Sequence, residues 1–396
     1  MSNTNETVFI IKVMHGGGAE RVVSLLSRAA AERGHRVTLM ITHQSKAEAV
    51  LHDIDKSISV VSVPDEAEKI KASGFMPKII MLAARLLGKL GFKNKSCVLK
   101  YLSRNYGAVS VMKSFFREHK NASAVAFLYD SIFLTLLSRG KNNRIVISER
   151  GDPAQSSGSK TVAAFMKTVF PKADAVVFQS PDAMKWYEDN TPVKGTVIFN
   201  PVKPDLPEAY SGERQKKIVN FCRISPEKNL PLLIEAFEKL NKTYPTYDLY
   251  VYGDPVGTCT QECLDEIAEK ISSSPCKSSI HFLPARSDIH SVIRDYAMFV
   301  SSSDYEGMSN SMLEAMALGL PCVCTDCPAG GARAVIRNGE NGLLTPVGDA
   351  NALCDAMKKI IESEELAASL SENGIKIRTE LSVDKIIKKW MELLNG

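Results

Sequence analysis

The first half of the chain alternates short apolar runs with amphipathic helical patterns. The run beginning at Thr7 is apolar enough for a buried strand, and it leads through a glycine loop into a helical pattern. A second strand-like run begins at Arg36, which indicates a β-α-β unit. Further strand-like runs continue the alternation: AVAFLY, RIVISE and ADAVVFQ. Strands that alternate with helices imply a parallel sheet with helices on both faces.

The alternation is interrupted by one segment, FNPVKPDLPEAYSGERQ, which begins at Phe199. Its three prolines and its mixed charge are typical of a linker. Beyond it, strands and helices restart in the same order. The strand-like runs of this second half are KIVNFCRI, YDLYVYGD, SIHFLPA, MFVSSS and PCVCTD, and the last helical pattern is IIKKWMELL. The sequence therefore predicts a second open α/β domain.

We predict four parts along the chain. They are an N-terminal Rossmann-like domain over 1–199, a linker over 200–214, a second Rossmann-like domain over 215–378, and a C-terminal helix over 379–396 that packs back on the N-terminal domain. A length of 396 residues suits two domains of roughly 100 to 200 residues each. Because open parallel sheets bind ligands at the carboxyl ends of their strands, we expect two doubly wound sheets that face each other across a cleft.

The composition is typical of a soluble globular protein, with 44% hydrophobic and 24% charged residues. No apolar run approaches the roughly 18 residues of a membrane span, and the N-terminus lacks the basic and apolar regions of a secretory signal. The nine cysteines form no paired C-x2-C motifs with nearby histidines, so we expect reduced thiols and no zinc site. These features predict a cytoplasmic protein.

Positive charge is concentrated in one segment. The formal net charge is +4, but the residues from Lys69 to Arg117 include eleven basic side chains and no acidic one. Within this basic segment, FMPKIIMLAARLLGKLGFK mixes apolar and basic positions in a pattern suited to an anionic membrane surface. The alternative is an ordinary helix with a solvated basic face. No aromatic platform or known binding module accompanies the charge, so we do not expect nucleic acid as a partner.

A glycine loop, Gly16 to Gly18, ends the first predicted strand and opens the first helix. Glycines let the backbone approach a phosphate, and a helix N-terminus offers free N–H groups and a favourable dipole. The loop does not match the dinucleotide-binding fingerprint, because Arg21 stands where the third glycine belongs. A tight turn without a ligand is the alternative interpretation.

Two cations follow the first strand of the second predicted domain. Arg223 leaves the strand and Lys228 comes five residues later, just before a helix, so both can converge on one side of the cleft. Such a pair stabilises the negative charge that develops on a departing pyrophosphate. A solvated basic loop is the alternative interpretation.

Two glutamates flank the start of a later helix. Glu306 lies in the loop before it, Glu314 lies eight positions later within it, and we expect the helix to begin at Ser309 or Ser311. The carboxylates can accept hydrogen bonds from sugar and ribose hydroxyls, and the N–H groups of the helix start can receive a phosphate. A glutamate early in a helix is also favourable without a ligand. The residues of this helix start are Gly307, Met308, Ser309 and Asn310.

Together these motifs resemble the GT4 family of retaining glycosyltransferases, which have the GT-B fold, and in particular the members that build bacterial surface polysaccharides. The resemblance rests on the E-x7-E spacing from Glu306 to Glu314 and on the pair of Arg223 and Lys228. It extends over nearly the whole chain and is weakest from about Lys69 to Asn121. The segments that carry it are GGGAERVV, RISPEKN and TDCPAGGARAVIRNGENGLLTPVGD.

The resemblance implies roles for residues of the second domain. In such enzymes the first glutamate, here Glu306, holds hydroxyls of the donor sugar, and the second, here Glu314, holds the nucleotide ribose. The two cations, here Arg223 and Lys228, bind the diphosphate and assist its departure. The helix start at 307–310 belongs to the same nucleotide-sugar site. The family uses no metal and no cofactor other than its nucleotide-sugar substrate.

The resemblance places the acceptor on the N-terminal domain. Gly17 and Gly18 would lie beside the donor phosphate and the acceptor. Many relatives have a histidine beside the reacting sugar at the end of a late strand, whereas this chain has Ser148, Glu149 and Arg150. Glu149 and Arg150 are therefore the acceptor-side candidates, and no catalytic base is assigned. This SER sequence together with TDCP is frequent in enzymes of bacterial surface polysaccharides, which indicates a lipid-linked glycan as acceptor.

The sequence therefore predicts a retaining, metal-independent glycosyltransferase of the hexosyl type at the inner face of the cell membrane. It would transfer a sugar from a nucleotide-diphosphate sugar, with UDP as the expected nucleotide, to a lipid-linked oligosaccharide or another surface glycan. One alternative is a nucleotide-sugar epimerase of the same fold, which the GGAER and RISPEK motifs disfavour. A second alternative is a noncatalytic protein that binds a nucleotide sugar or a membrane surface.

Overall fold

The computed structural model of the chain describes residues 6–51, 54–69, 75–256 and 258–396. The chain forms two compact units. Unit 1 comprises residues 1–201 together with 383–396, and unit 2 comprises residues 202–382. The division between them falls inside the segment that the sequence predicts as a linker.

Unit 1 is built on a parallel sheet of seven strands. In chain order they are β1 (Glu6–Ile11), β2 (Arg36–Ile41), β3 (Ser59–Ser62), β4 (Ser123–Phe127), β5 (Arg144–Ser148), β6 (Ala175–Phe178) and β7 (Thr196–Val197). Their order in the sheet is β3-β2-β1-β4-β5-β6-β7, so the chain winds outward from β1 and then in the other direction from β4. The central strands are continuous apolar runs because they are buried almost completely.

Helices connect these strands and complete the core of unit 1. They are α1 (Gly18–Glu32), α2 (Val63–Lys69), α3 (Phe75–Lys89), α4 (Lys93–Arg104), α5 (Tyr106–Glu118), α6 (Tyr129–Ser138), α7 (Pro153–Ser157), α8 (Lys160–Thr168) and α9 (Pro181–Asn190). Aromatic rings fill the space between them: Phe133 of α6 stacks on Phe165 of α8 with ring centroids 3.9 Å apart. Both rings are buried, so the helices are fixed against the sheet by apolar packing.

The basic segment forms α3, α4 and α5, apart from residues 70–74, which lie outside the described residues. Helix α4 packs on α8 on one side and on α3 on the other. The Ser96 hydroxyl donates a hydrogen bond to the carbonyl of Ala84 at 2.7 Å, and the Ser103 hydroxyl donates one to the carbonyl of Pro77 at 2.8 Å. Ala84 is the buried residue of α3, so most of this helix faces solvent. Within the described ranges, no helix combines the length and the hydropathy that a membrane span requires.

Unit 2 contains a second parallel sheet, of six strands. Its strands are β8 (Gln215–Phe221), β9 (Asp248–Tyr252), β10 (Ile280–Leu283), β11 (Tyr296–Ser301), β12 (Cys322–Thr325) and β13 (Leu343–Thr345), in the spatial order β10-β9-β8-β11-β12-β13. Its helices are α10 (Leu230–Asn241), α11 (Gln261–Ser273), α12 (Ile289–Ile293), α13 (Asn310–Ala317), α14 (Ala350–Glu362), α15 (Glu364–Ile375) and α16 (Ile377–Glu380). Both sheets therefore reverse direction beside their first strand, as doubly wound sheets do.

The last helix, α17 (Val383–Asn395), returns to unit 1. Trp390 is buried, and its ring centroid lies 5.6 Å from that of Phe127 at the end of β4. Two hydrogen bonds fix the end of the helix. The Arg144 side chain donates through Nε to the carbonyl of Leu393 at 2.6 Å, and Ser123 donates through Oγ to the carbonyl of Leu394 at 2.7 Å.

The predicted class, α/β with two doubly wound parallel sheets, is confirmed. The predicted strand MFVSSS begins two residues earlier than expected, because Tyr296 and Ala297 are the first residues of β11. Strands β7 and β13 were not predicted, since runs of two and three residues carry no readable periodicity.

Candidate functional site

The candidate site of unit 2 lies where its sheet reverses direction. Strands β8 and β11 are neighbours in the sheet. From β8 the chain continues to β9 on one side of this pair, and from β11 it continues to β12 on the other side. The loop after β8 carries Arg223 and Lys228, and the loop after β11 carries Glu306. Ligands of open α/β sheets bind at this kind of position, because the diverging loops leave a crevice between them.

Hydrogen bonds join these two loops. The backbone N–H of Asp304 donates to the carbonyl of Glu227 at 2.9 Å, and the Ser302 hydroxyl donates to the carbonyl of Lys228 at 2.8 Å. The Asn229 amide also donates to the carboxylate of Asp304 at 2.8 Å. Asn229 has a left-handed backbone with φ of 42°, and its side-chain oxygen caps α10. Asn229 therefore caps α10 and also binds the loop after β11, which fixes the position of the neighbouring Lys228.

Lys228 and Glu306 form an ion pair across the two loops. The side chains are 12% and 25% exposed, so the pair is partly shielded from water. Burial alone would lower the pKa of the Lys228 ammonium, but the nearby carboxylates, above all Glu306, outweigh it, and the pKa is raised. Lys228 is therefore held as a cation. Arg223 lies exposed at the start of the same loop.

Glu306 also lines a small cavity together with Ser301 of β11, Thr325 of β12 and Met312 of α13. Helix α13 begins directly after it: Ser309 is the N-cap, and its hydroxyl accepts a hydrogen bond from the N–H of Met312 at 3.3 Å. The predicted helix start at Ser309 is confirmed. The remaining predicted residues adjoin this N-cap. Gly307 and Met308 precede it, Asn310 is the first residue of α13, and Met308 is buried.

Two glycines allow the backbone packing of the site. A Cβ atom on Gly331 would lie 1.5 Å from the carbonyl oxygen of Gly307, so the segment after β12 touches the loop of Glu306 directly. A Cβ atom on Gly253 would lie 1.8 Å from the carbonyl oxygen of Cys222, at the end of β8. No side chain fits at either position without moving the backbone, which explains why glycines stand there.

Glu314 lies on α13 and is buried. One of its carboxylate oxygens, Oε2, is 2.8 Å from Nε2 of His290 on α12. The side chains are 4% and 10% exposed, which makes this pair more enclosed than that of Lys228 and Glu306. Unit 2 therefore carries Arg223, Lys228 and Glu306 in the loops after β8 and β11 and Glu314 on the helix that follows, and Glu314 contacts a histidine that the sequence motifs did not indicate.

The predicted glycine loop lies at the carboxyl end of β1 in unit 1. Gly16 has a positive φ of 86°, Gly17 is the N-cap of α1, and Gly18 is its first residue. A Cβ atom on Gly17 would lie 2.1 Å from a carboxylate oxygen of Glu20, so that side chain folds over the helix start. The loop has the close backbone and helix N-terminus expected of a phosphate neighbour.

Glu149 and Arg150, the acceptor-side candidates, follow β5. Glu149 is buried, and its Oε1 accepts hydrogen bonds from the Tyr129 hydroxyl at 2.8 Å and from the N–H of Gly151 at 3.0 Å. Burial raises the pKa of its carboxyl to about 7. Arg150 donates through Nη2 to the Asn200 side chain at 2.6 Å, and burial lowers the pKa of its guanidinium to about 10. Directly after the carboxyl end of β5, the candidates are therefore a buried carboxyl and a half-buried guanidinium.

A second polar group in unit 1 was not predicted. At the carboxyl ends of β1 and β4, where this sheet reverses direction, Lys12 and Asp130 form an ion pair of 2.6 Å. His43 lies at the end of β2, and burial lowers the pKa of its imidazole. Leu128, just before Asp130, has a positive φ of 70°, an uncommon conformation for a residue with a side chain. The sequence offered no motif for this group, because its members come from three separate strand ends.

Among the residues that the structure describes, no three His, Cys, Asp or Glu side chains come together as a metal site would require. The nine cysteines are free thiols. Burial raises the pKa of the Cys327 thiol beside the cavity of Glu306 to about 11, so it stays protonated near neutral pH. The cysteines of unit 2 thus act as small apolar side chains.

The buried Glu149 predicts a pH-dependent stability. Its carboxyl has a pKa of about 7 in the folded protein and about 4.5 in the unfolded chain. As pH rises from 4.5, the unfolded state releases the proton first, so folding is disfavoured progressively until about pH 7. We expect the free energy of unfolding of the wild-type protein, relative to Glu149→Gln, to fall by about 2 to 3 kcal/mol between pH 4.5 and pH 8.

Urea unfolding followed by tryptophan fluorescence measures this difference, because both tryptophans, Trp186 and Trp390, belong to unit 1. The matched control is Glu188→Gln, which replaces an exposed glutamate of the same unit. A difference between wild type and Glu149→Gln that does not change with pH would contradict the prediction.

Comparison with known proteins supports one family for both units. The model of "Glycosyltransferase Family 4" matches residues 16–206, and the model of "Glycosyl transferases group 1" matches residues 204–377. The two matches are consecutive and together span most of both units. They include the glycine loop, both acceptor-side candidates and every donor-site residue named above.

Curated relatives are similar at low identity. An uncharacterized glycosyltransferase of Methanocaldococcus jannaschii is 22% identical over 75% of this chain and 84% of its own length. An N-acetylgalactosaminyltransferase of Campylobacter jejuni, whose name gives a diphospho-undecaprenol acceptor, is 24% identical over 73% of this chain and 80% of its own length.

Solved structures share the fold over the whole chain. TarM superimposes with a TM-score of 0.78 at 15% identity, and covers 100% of this chain and 99% of its own. The Anabaena protein HepE, solved with UDP and glucose, superimposes with a TM-score of 0.77 at 18% identity over 99% of both chains. Taken with the consecutive family matches and the two doubly wound sheets, this likeness shows that the chain belongs to the GT4-type glycosyltransferases of the GT-B fold.

Proposed function

We propose that the protein is a retaining glycosyltransferase that moves a sugar from a UDP-sugar to a lipid-linked oligosaccharide or a related surface glycan. The observation that carries the proposal is the ion pair of Lys228 and Glu306 at the point where the sheet of unit 2 reverses direction. A cation and a carboxylate in one partly enclosed crevice match the two parts of a nucleotide sugar, its diphosphate and its hexose hydroxyls.

Each donor-site residue has a chemical role in this proposal. Lys228 and Arg223 bind the diphosphate, and Glu306 accepts hydrogen bonds from hydroxyls of the donor sugar. The N–H groups at the start of α13 face the same diphosphate, and Glu314 accepts hydrogen bonds from the ribose. The two cations carry the charge that a metal ion carries in other transferases, so no metal is required.

The reaction is a displacement on one face of the sugar. The bond between the anomeric carbon and the diphosphate oxygen breaks, and its electron pair stays on that oxygen, where Lys228 and Arg223 stabilise it. An acceptor hydroxyl oxygen bonds to the same face of the anomeric carbon, and its proton passes to the departing phosphate. The configuration of the sugar is retained without a covalent enzyme intermediate. This path also explains why no protein base is needed beside the sugar.

We place the acceptor on unit 1, where Gly17, Gly18, Glu149 and Arg150 lie at or beneath the carboxyl edge of the sheet. The relatives support a glycan acceptor. The Campylobacter enzyme is named for a lipid-linked acceptor, and a Staphylococcus aureus relative is named for a poly(ribitol-phosphate) acceptor.

Replacement of Glu306 tests the transferase proposal. We expect Glu306→Gln to lower the rate of nucleoside diphosphate release at least about 100-fold, because the neutral amide loses the charged acceptor of the sugar hydroxyls and the partner of Lys228. The assay measures release from UDP-, GDP- and ADP-sugars, each with and without a bacterial lipid extract, and with EDTA present.

The matched control is Glu340→Gln, which removes an exposed carboxylate from the same unit. Release of UDP that increases with lipid supports the proposal. Conversion of the donor to a free epimer would instead assign an epimerase, and full activity of Glu306→Gln would refute the proposed site.

We further propose that helix α3 contacts the inner face of the cell membrane. Its outward face carries apolar side chains, among which Phe75, Leu82 and Leu86 are 68%, 68% and 58% exposed. These three residues follow one another at spacings of seven and four, so they share one side of the helix, opposite the buried Ala84. Basic side chains of α3 and of the first turn of α4 are exposed as well: Lys78, Arg85, Lys89, Lys93 and Lys95.

This arrangement matches an interfacial helix. The apolar side chains can enter the acyl boundary while the basic ones meet anionic headgroups. The contact would hold the enzyme where a lipid-linked acceptor resides. We therefore propose a cytoplasmic protein that is peripherally associated with the membrane.

Vesicle binding tests the membrane contact. We expect the double variant Leu82→Asp with Leu86→Asp to bind vesicles of mixed phosphatidylglycerol and phosphatidylcholine at least about tenfold more weakly than wild type. The variant loses the burial of two leucine side chains in the lipid, and its two aspartates are repelled by the anionic headgroups. Cosedimentation measures the bound fraction, which should also fall with added salt. The control Val347→Asp alters an exposed apolar residue of unit 2. Equal binding by wild type and the double variant would refute the contact.

A further inference from the structure

We propose that His290 is a positioning residue that holds the Glu314 carboxylate in place to receive the nucleotide ribose. The inference rests on the proposed function, since it requires Glu314 to face a ribose. It adds a residue that lies outside the E-x7-E motif and on a different helix. The ligand class that Glu314 would bind in this way is a nucleoside diphosphate with both ribose hydroxyls present.

The geometry that carries this inference is one enclosed contact. Nε2 of His290 lies 2.8 Å from Oε2 of Glu314, and the two side chains are 10% and 4% exposed. A carboxylate cannot donate a hydrogen bond when ionised, so Nε2 carries the proton and donates it to Glu314. Nε2 of His290 is therefore the ring nitrogen that faces Glu314 as a donor.

The histidine is itself held by the fold. It lies on α12, a helix of five residues that is followed by β11, and the edge of its ring meets the ring of Phe221 with centroids 6.0 Å apart and planes at 89°. Phe221 is the last residue of β8. The ring is therefore set by the same strand whose following loop carries Arg223 and Lys228.

The contact has a defined consequence for ligand binding. A carboxylate has about four lone-pair sites, so Glu314 can accept from His290 and from ribose hydroxyls together. A donor on Oε2 restrains rotation of the carboxylate and so holds its remaining lone pairs in one orientation. Without His290, the enclosed carboxylate would lose that donor. The protein's preference for ribonucleotides over 2′,3′-dideoxyribonucleotides should then weaken.

The test compares ribonucleotides with dideoxyribonucleotides. Binding of UDP, GDP and ADP and of their 2′,3′-dideoxy counterparts to the full chain is measured by calorimetry, and the ratio of the two dissociation constants is taken for the nucleotide that binds best. We expect wild type to prefer the ribonucleotide at least about tenfold, as the loss of hydrogen bonds to a charged group implies. We expect the ratio to fall to about twofold or less in His290→Leu and His290→Asn.

His290→Gln supplies the rescue, because its amide nitrogen reaches about as far as Nε2 and can donate to Glu314, whereas the amide of Asn cannot. It should keep most of the wild-type ratio. A general loss of folding would change the affinity for both nucleotides and would not move their ratio. The matched control is His281→Leu, which removes a histidine that stacks on Tyr250 elsewhere in unit 2.

The outcomes separate the two proposals. If Glu314→Gln lowers the ratio while His290→Leu and His290→Asn keep it, His290 does not position the carboxylate and the donor site stands. If Glu314→Gln also keeps the ratio, Glu314 does not bind ribose and the inference falls with that part of the site. If wild type binds none of the nucleotides, both the proposed function and the inference are overturned.

Discussion

The donor site depends on the hydrogen bonds that tie the loop after β8 to the loop after β11. Neighbouring parallel strands bring the ends of these loops together, and the bonds from Asp304, Ser302 and Asn229 fix their relative positions. Each such bond contributes about 1 kcal/mol, so together they hold a loop that would otherwise adopt many conformations. Because they are in place, Lys228 and Glu306 meet as an ion pair, and both charged groups are held in fixed positions at the crevice.

The sequence predicted the parts of this site that are local in the chain. Arg223 and Lys228 share one loop, and Glu306 and Glu314 share one loop and helix, so a short motif can carry each pair. The sequence could not predict the pair of His290 and Glu314, because 24 residues and one strand separate them and only the fold joins them. The same is true of Lys12 and Asp130 in unit 1.

Charge and packing explain why the basic segment is arranged as it is. The sequence predicted its amphipathic character but could not tell a membrane-binding helix from an ordinary helix with a solvated basic face, since both have the same pattern of apolar and basic residues. In the structure, α4 contacts α3 and α8, and α3 exposes Phe75, Leu82 and Leu86 to solvent. An apolar face bordered by lysines and arginines is costly in water alone, which is why we interpret it as a surface for anionic lipid.

We propose that the nucleotide-sugar site lies at the carboxyl ends of the neighbouring strands β8 and β11 in unit 2. The most direct measurement is a crystal structure of the protein with UDP, or with whichever nucleoside diphosphate binds best. The account predicts the diphosphate against Arg223, Lys228 and the start of α13, and the ribose hydroxyls on Glu314. An ordered nucleotide bound elsewhere, with the ion pair of Lys228 and Glu306 making no contact to it, would contradict the account.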